Sequence, residues 1–188
     1  MKNNNSWAHI AMFGANFLWG IMSPVSKAVM ESGMISAFAL TIFRMFGAAA
    51  VFWIASLFIK REHVPPRDLA MLFFASLFGI TINQGCFITG VSMTSPIDAS
   101  VVTTTVPIIT MIIAAFYLKE PITSKKVIGI FLGAIGALIL ILNGQQVANT
   151  VSGNNNMAGN LFCLAAEFSF AIYYVVFKDL ISRYSPIT

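Results

Sequence analysis

Seven residues stand out as groups able to do chemistry inside long apolar runs: Asn16, Trp19, Arg44, Asn83, Gln84, Thr103 and Glu167. An ionisable group in hydrocarbon is costly, which makes each one a functional candidate by default. Glu167 is the only acid near the middle of its run. A carboxylic acid withdrawn from water keeps its proton more readily, the property a proton-coupling group needs. A neutral acid bonded to a neighbouring helix is the alternative. Arg44 can meet an anionic substrate group, pair with another helix, or snorkel to the outer surface. Asn83 and Gln84 are adjacent, so they cannot both turn to one neighbour, and inter-helix hydrogen bonding is their plainer use. Pro107 has no N–H to give the Thr103 carbonyl, so that carbonyl is open to a hydroxyl or a solute, or simply marks a kink. Trp19, one turn from Asn16, can wall a cavity or anchor at an interface. Taken together, the seven are candidate substrate-binding groups, with Glu167 the candidate for proton coupling.

These groups need helices long enough to hold them in a bilayer. The chain is 57% hydrophobic and only 10% charged, against about 25% charged in ordinary soluble domains. Six apolar runs, at 8–29, 37–59, 69–91, 97–118, 127–142 and 158–180, approach the roughly 20 residues that cross a bilayer. Nine of the 11 basic residues occupy alternate gaps between runs: Lys2, Lys60, Arg61, Arg67, Lys119, Lys125, Lys126, Lys178 and Arg183. Cytoplasmic loops retain Lys and Arg during insertion, so this alternation predicts a cytoplasmic N-terminus. The net charge of +4 is spread over loops with no basic stripe, which argues against a nucleic-acid partner. Cys86 and Cys163 lie in apolar runs, and no spacing suggests zinc or another metal; no cofactor is implied.

Local signals mark the ends. Ser95-Pro96-Ile97-Asp98 reads as a capping serine, a first-turn proline and an acid, a helix start. Pro65-Pro66 closes a loop, Lys27 and Glu31 are spaced for a weak pair, and Glu120 sits at a boundary suited to gating. Gly129, Gly133 and Gly136 predict close helix packing at the fifth run. The uncharged Asn/Gly/Ser-rich stretch at 143–157 predicts a flexible loop.

Placing Lys27 over Lys178 aligns the first and sixth runs without a gap. Phe17 then meets Phe168, Ile21 meets Ile172, Trp19 meets Phe170 and Asn16 meets Glu167. An odd number of spans separates the copies, so the second enters from the opposite side. That is the arithmetic of an inverted repeat, a plan common in secondary transporters. It predicts that Asn16 and Glu167 line one central cavity.

Leu18-Trp19-Gly20 with Lys27, Phe43-Arg44 with Ala48, Pro107 with Leu118-Lys119-Glu120-Pro121, and Gly129, Gly133 and Gly136 together resemble the EamA family of the drug/metabolite transporters. The resemblance covers essentially the whole chain. It implies an all-α, polytopic transmembrane bundle of ten helices in two inverted five-helix repeats, about six of them here. Residues 1–146 then form the first repeat, and 147–188 the loop and first helix of a second that is cut short. The implied activity is transport of a small organic metabolite or drug-like solute across a bacterial cytoplasmic (inner) membrane. The implied partners are the solute, the lipid bilayer, and the missing C-terminal half of the same protein or a second copy in a homodimer. The chain has no P-loop to use ATP, and no HExxH, GxSxG or paired-Asp motif of a membrane enzyme. A non-transporting component of a larger membrane assembly is the remaining alternative.

Overall fold

The computed structural model describes residues 4–58, 62–119, 121, 123–125, 127–133, 135–136 and 156–185. Among these residues every regular element is helical. The chain runs through α1 (Asn4–Glu31), α2 (Ala37–Ser56), α3 (Pro66–Ser76), a π-helical segment (Leu77–Ile82), α4 (Asn83–Met93), α5 (Pro96–Thr103) and α6 (Val106–Tyr117). After helical residues at 127–133 come α7 (Asn156–Val176) and the short α8 (Lys178–Ile181). Glu120, the second half of the fifth expected span and the loop at 143–155 lie outside the described residues.

Four stretches are long and apolar enough to cross a membrane: Ala37–Ser56, Pro66–Met93, Pro96–Tyr117 and Met157–Val176. The protein is a polytopic helical bundle, as its composition predicts. The first expected span is a 28-residue helix that is not among the four. His9, Asn16, Ser23 and Lys27 interrupt its apolar character.

Local rules set several boundaries. The Ser95 hydroxyl accepts from the Asp98 N–H at 3.0 Å, so the predicted cap at the start of α5 forms. Ser36 caps α2 in the same way, through Ala39 at 3.2 Å. The fourth expected span is two helices. Ahead of Pro107 the backbone tightens to i−3 bonds, Thr104 to Val101 and Thr105 to Val102, before α6 resumes. The third is continuous in length but contains the π-helical turn, an interruption its hydropathy does not register. The sixth stops at Val176, because Phe177 leaves helical geometry (φ −100°, ψ 10°), and Lys178 opens α8 rather than closing α7.

The core lies where α4, α5 and α7 meet. Phe87, Ile88, Val91, Ala99, Cys163 and Ala166 form it, with Met22, Met30, Ala37 and Leu40 of α1 and α2 packed on one side. A close helix contact lies at Gly90 and Gly159. A Cβ on Gly90 would lie 2.5 Å from Cys163 Sγ and 2.7 Å from the Gly159 carbonyl oxygen. Small residues let backbones approach in lipid, where close packing replaces the hydrophobic drive. The glycines expected to do this are Gly129, Gly133 and Gly136. A Cβ on any of them would meet nothing within 4 Å among the described residues. Gly129 and Gly133 border an open groove instead.

Candidate functional site

Two features adjoin on α7: a polar seam against α4 and a groove against α6. The seam begins at Asn83, which is buried and whose Nδ2 donates to the Ala166 carbonyl at 2.9 Å. Among the described residues Gln84 makes no hydrogen bond to another helix; its Nε2 donates to Asn83 Oδ1 at 3.0 Å and fixes that amide. One turn earlier the Ser169 hydroxyl donates to the Phe78 carbonyl at 2.7 Å. The carbonyl lies in the π-helical turn, where the regular i→i−4 ladder is interrupted and an outside donor can take its place. Gly79 sits under the Tyr173 ring in the same turn; a Cβ there would lie 2.6–2.9 Å from the ring carbons. The π turn is thus shaped to α7.

Glu167 lies on this packed face of α7 and is 4% exposed. No described group hydrogen-bonds its carboxylate. Ala166 and Ser169, its neighbours on the helix, both bond across to the other helix. Glu167 therefore sits inside a fixed interface as an acid without a fixed partner among the described residues.

The groove has a volume of about 830 Å³ and lies between the α5–α6 break, the residues Pro121, Lys125, Gly129, Ile130 and Gly133, and α7. Thr103, Thr104, Pro107, Thr110, Lys125 and Tyr174 are among its lining residues. The size falls in the range of small-molecule sites, roughly 300–1,000 Å³. Its walls are mainly apolar with a few convergent polar groups. Thr103 donates its hydroxyl proton to the Ser100 carbonyl at 2.6 Å, and Thr104 to Val101 at 2.7 Å. Both hydroxyl oxygens therefore offer lone pairs rather than protons. Lys125 is the one charged side chain among the described lining residues. Phe170 and Tyr174 carry α7 into the groove one and two turns beyond Glu167.

The other expected groups lie elsewhere. Asn16 is exposed, and its Nδ2 turns back to the Met12 carbonyl at 2.8 Å on its own helix. Trp19 is 54% exposed. The structure does not bring Asn16 to Glu167: α1 packs on α4, α5 and α2, while α7 packs mainly on α4, α6, the π turn and α5. The repeat alignment pairs the two by position, and the packing separates them. Arg44 is on the α1–α2 side, where its Nη2 donates to the Met22 sulfur at 2.6 Å. Lys27 pairs with Glu31 at 3.8 Å, as spaced, and also donates to the Ser92 carbonyl at 3.0 Å.

Sequence reasoning missed Ser169, Lys125, Thr110 and Tyr174. Ser169 carried a signal, a hydroxyl two residues beyond the buried acid. Lys125 read only as a loop charge, because nothing local places it against Pro107. At the end of α8 the Tyr184 hydroxyl donates to Asp68 at 2.6 Å, with Arg183 4.0 Å from the same carboxylate oxygen. The hydrogen bond to Asp68 raises the Tyr184 pKa above the ordinary phenol value, with smaller contributions from desolvation and the Asp68 charge.

The profile of the EamA-like transporter family matches residues 6–142. A WAT1-related protein of Arabidopsis thaliana is 27% identical over 94% of this chain and 52% of its own length. An uncharacterized transporter of Archaeoglobus fulgidus is 28% identical over 90% and 57%. The uncharacterized transporter YyaM of Bacillus subtilis is 26% identical over 93% and 53%. The chain spans about half the length of the curated relatives it matches. No solved structure matches it significantly.

Proposed function

The chain belongs to the EamA-like transporter family, and from that premise we propose that it works in a secondary transporter moving a small organic solute by alternating access. The observation that carries this reading is the groove at the break between α5 and α6. Transporter sites form where membrane helices are discontinuous and backbone groups leave the helical ladder. Here a solute-sized space opens at such a break, with Thr103 on its wall and Lys125 at its edge.

In this reading Thr103 contacts solute directly. Asn83 and Gln84 hold the α4–α7 seam that borders the site. Glu167, one turn from the groove along α7, takes and releases the coupling proton. Asn16 and Trp19 meet solute only when the exposed face of α1 is covered by further helices. Residues 1–146 form one repeat and 147–188 open a second, inverted one; the alignment of Lys27 with Lys178 supports this. The alternating basic loops support a cytoplasmic N-terminus, and the bacterial relative fits a bacterial inner membrane.

The test begins with a growth-resistance screen over toxic amino acids, nucleosides and drugs in cells expressing the full gene product. The solute it yields is then applied to proteoliposomes containing a trapped pH-sensitive dye. Solute-driven proton movement is expected, and Glu167→Gln should abolish it while leaving solute binding. Unchanged coupling in that variant removes Glu167 from the proton role. No flux of any screened solute overturns the transport reading.

A further inference from the structure

The α1–α2 hairpin holds a positive charge with no negative partner among the described residues. Arg44 lies seven residues into α2, about 10 Å along the axis at the rise of an α-helix. Its Nη2 donates to the Met22 sulfur at 2.6 Å, and its Nη1 is buried with no hydrogen-bond partner. Ser23, beside Met22 in sequence, is 5% exposed, and its hydroxyl is unpartnered as well. These are the two buried side-chain polar atoms without a partner among the described residues. No described acid pairs with Arg44. Glu31 faces Lys27, Glu62 accepts from the Ser185 N–H, Asp68 takes Tyr184 and Arg183, Asp98 accepts from Thr94, Asp179 lies in α8, and Glu167 lies on α7, which packs on α4, α6, the π turn and α5.

Arginine keeps its proton in proteins, so this group cannot escape its burial by becoming neutral. A thioether is a weak acceptor and carries no charge to offset the guanidinium. Desolvating a cation is repaid only by a well-placed counter-charge. A carboxylate or phosphate oxygen pair fits the fork of Nη1 and Nη2 in a bidentate way that sulfur cannot.

We propose that Arg44 and Ser23 form the docking point for one oxyanion, a carboxylate or phosphate group, which displaces the Met22 thioether and takes both Nη atoms. The Arg44 side chain as a whole is only half-buried, although its Nη1 is covered, so an anion reaches the fork only once Met22 moves. Methionine is flexible enough to swing aside. Pro24 follows Ser23 and gives no N–H to the Gly20 carbonyl, so α1 can bend at this level to admit the anion. The site is separate from the groove, since α2 packs on α4 and α1, whereas the groove lies against α6 and α7. Its occupant is the acidic group of a transported solute or the headgroup phosphate of an anionic lipid. The inference rests on the transporter reading only for the first of these sources.

The full gene product in neutral detergent is unfolded by heat in two arms. One adds benzoate or inorganic phosphate against chloride of equal ionic strength; the other adds phosphatidylglycerol against phosphatidylcholine. At about a hundred times the dissociation constant, the anion that fits should raise the midpoint by about 3–5 °C. Arg44→Gln should abolish the rise, Arg44→Lys should keep part of it, and Ser23→Ala should weaken it. A rise in the first arm assigns a soluble anion, and in the second a lipid. No rise in either arm, or the same rise in Arg44→Gln, overturns the site. Should Arg44→Gln fail to fold, an undiminished rise in both Arg44→Lys and Ser23→Ala overturns it equally. Transport without an anion-dependent shift removes the site alone, and a shift without transport removes the transport reading alone.

Discussion

The Asn83 side-chain amide donates to the Ala166 carbonyl at 2.9 Å, joining positions 83 residues apart in the chain. The bond ties the helix that follows the π turn to the helix that carries Glu167. With Gln84 holding the Asn83 oxygen at 3.0 Å, the amide has one orientation that satisfies both ends. The candidate site depends on this contact because it sets how α7 meets α4.

Asn83→Leu should lower stability in detergent by about 1–2 kcal/mol, the net value of a buried hydrogen bond together with a carbonyl left unpaired. Membrane interiors give somewhat smaller values on average, about 0.6 kcal/mol per inter-helix bond. Gln84→Leu should cost less, because Gln84 braces Asn83 without crossing to α7. Thermal or denaturant unfolding in detergent gives the order, and an equal loss in both variants would contradict it.

Gly90→Ala and Gly159→Ala should each destabilise by about 1–3 kcal/mol, since the added methyl meets backbone or sulfur and the helices must move apart. Gly85→Ala is the control on the same helix as Gly90. Nothing lies within 4 Å of its added methyl, and alanine favours the helix by about 1 kcal/mol over glycine. Melting temperatures of the three variants should fall on opposite sides of the parent, with the control above it and the other two below.

Pro107→Ala restores an N–H able to reach the Thr103 carbonyl and removes the reason for the break between α5 and α6. A straighter fourth span should narrow the groove. Solute flux in proteoliposomes is expected to fall several-fold, while the melting temperature holds or rises. Full flux with a straight helix would separate the break from transport.

The Tyr184–Asp68 bond should be pH-dependent at the alkaline end. The folded-state phenol pKa is raised, so the bond contributes fully below the ordinary tyrosine value, about 10, and is lost as pH rises through the higher folded value. Hydrogen exchange at residues 182–185 should therefore be faster in Tyr184→Phe than in the parent at pH 7–9. The two should converge under more alkaline conditions. A difference that persists unchanged above that range would assign the protection to another contact.

The sequence by itself determined the class of the protein and several of its joints. Runs of apolar residues about as long as a bilayer is thick can only be helices, since lipid offers backbone groups no other partner. The Ser95 cap and the break before Pro107 follow from hydrogen bonds made or refused within four residues, so they are legible along the chain. The motifs around Trp19, Arg44, Pro107 and Gly129 carried the family.

Only the tertiary structure decided which faces of those helices meet. A helix that is apolar all round has no periodic stripe to name its packed side. The π turn that receives Ser169, the burial of Glu167, the contact of Gly90 with Gly159 and the contact of Arg44 with Met22 each depend on residues tens of positions away. Asn16 and Glu167 show the limit most plainly. The repeat makes them equivalent in sequence, yet one faces outward on α1 and the other is buried against α4, because packing acts on surfaces and not on alignments.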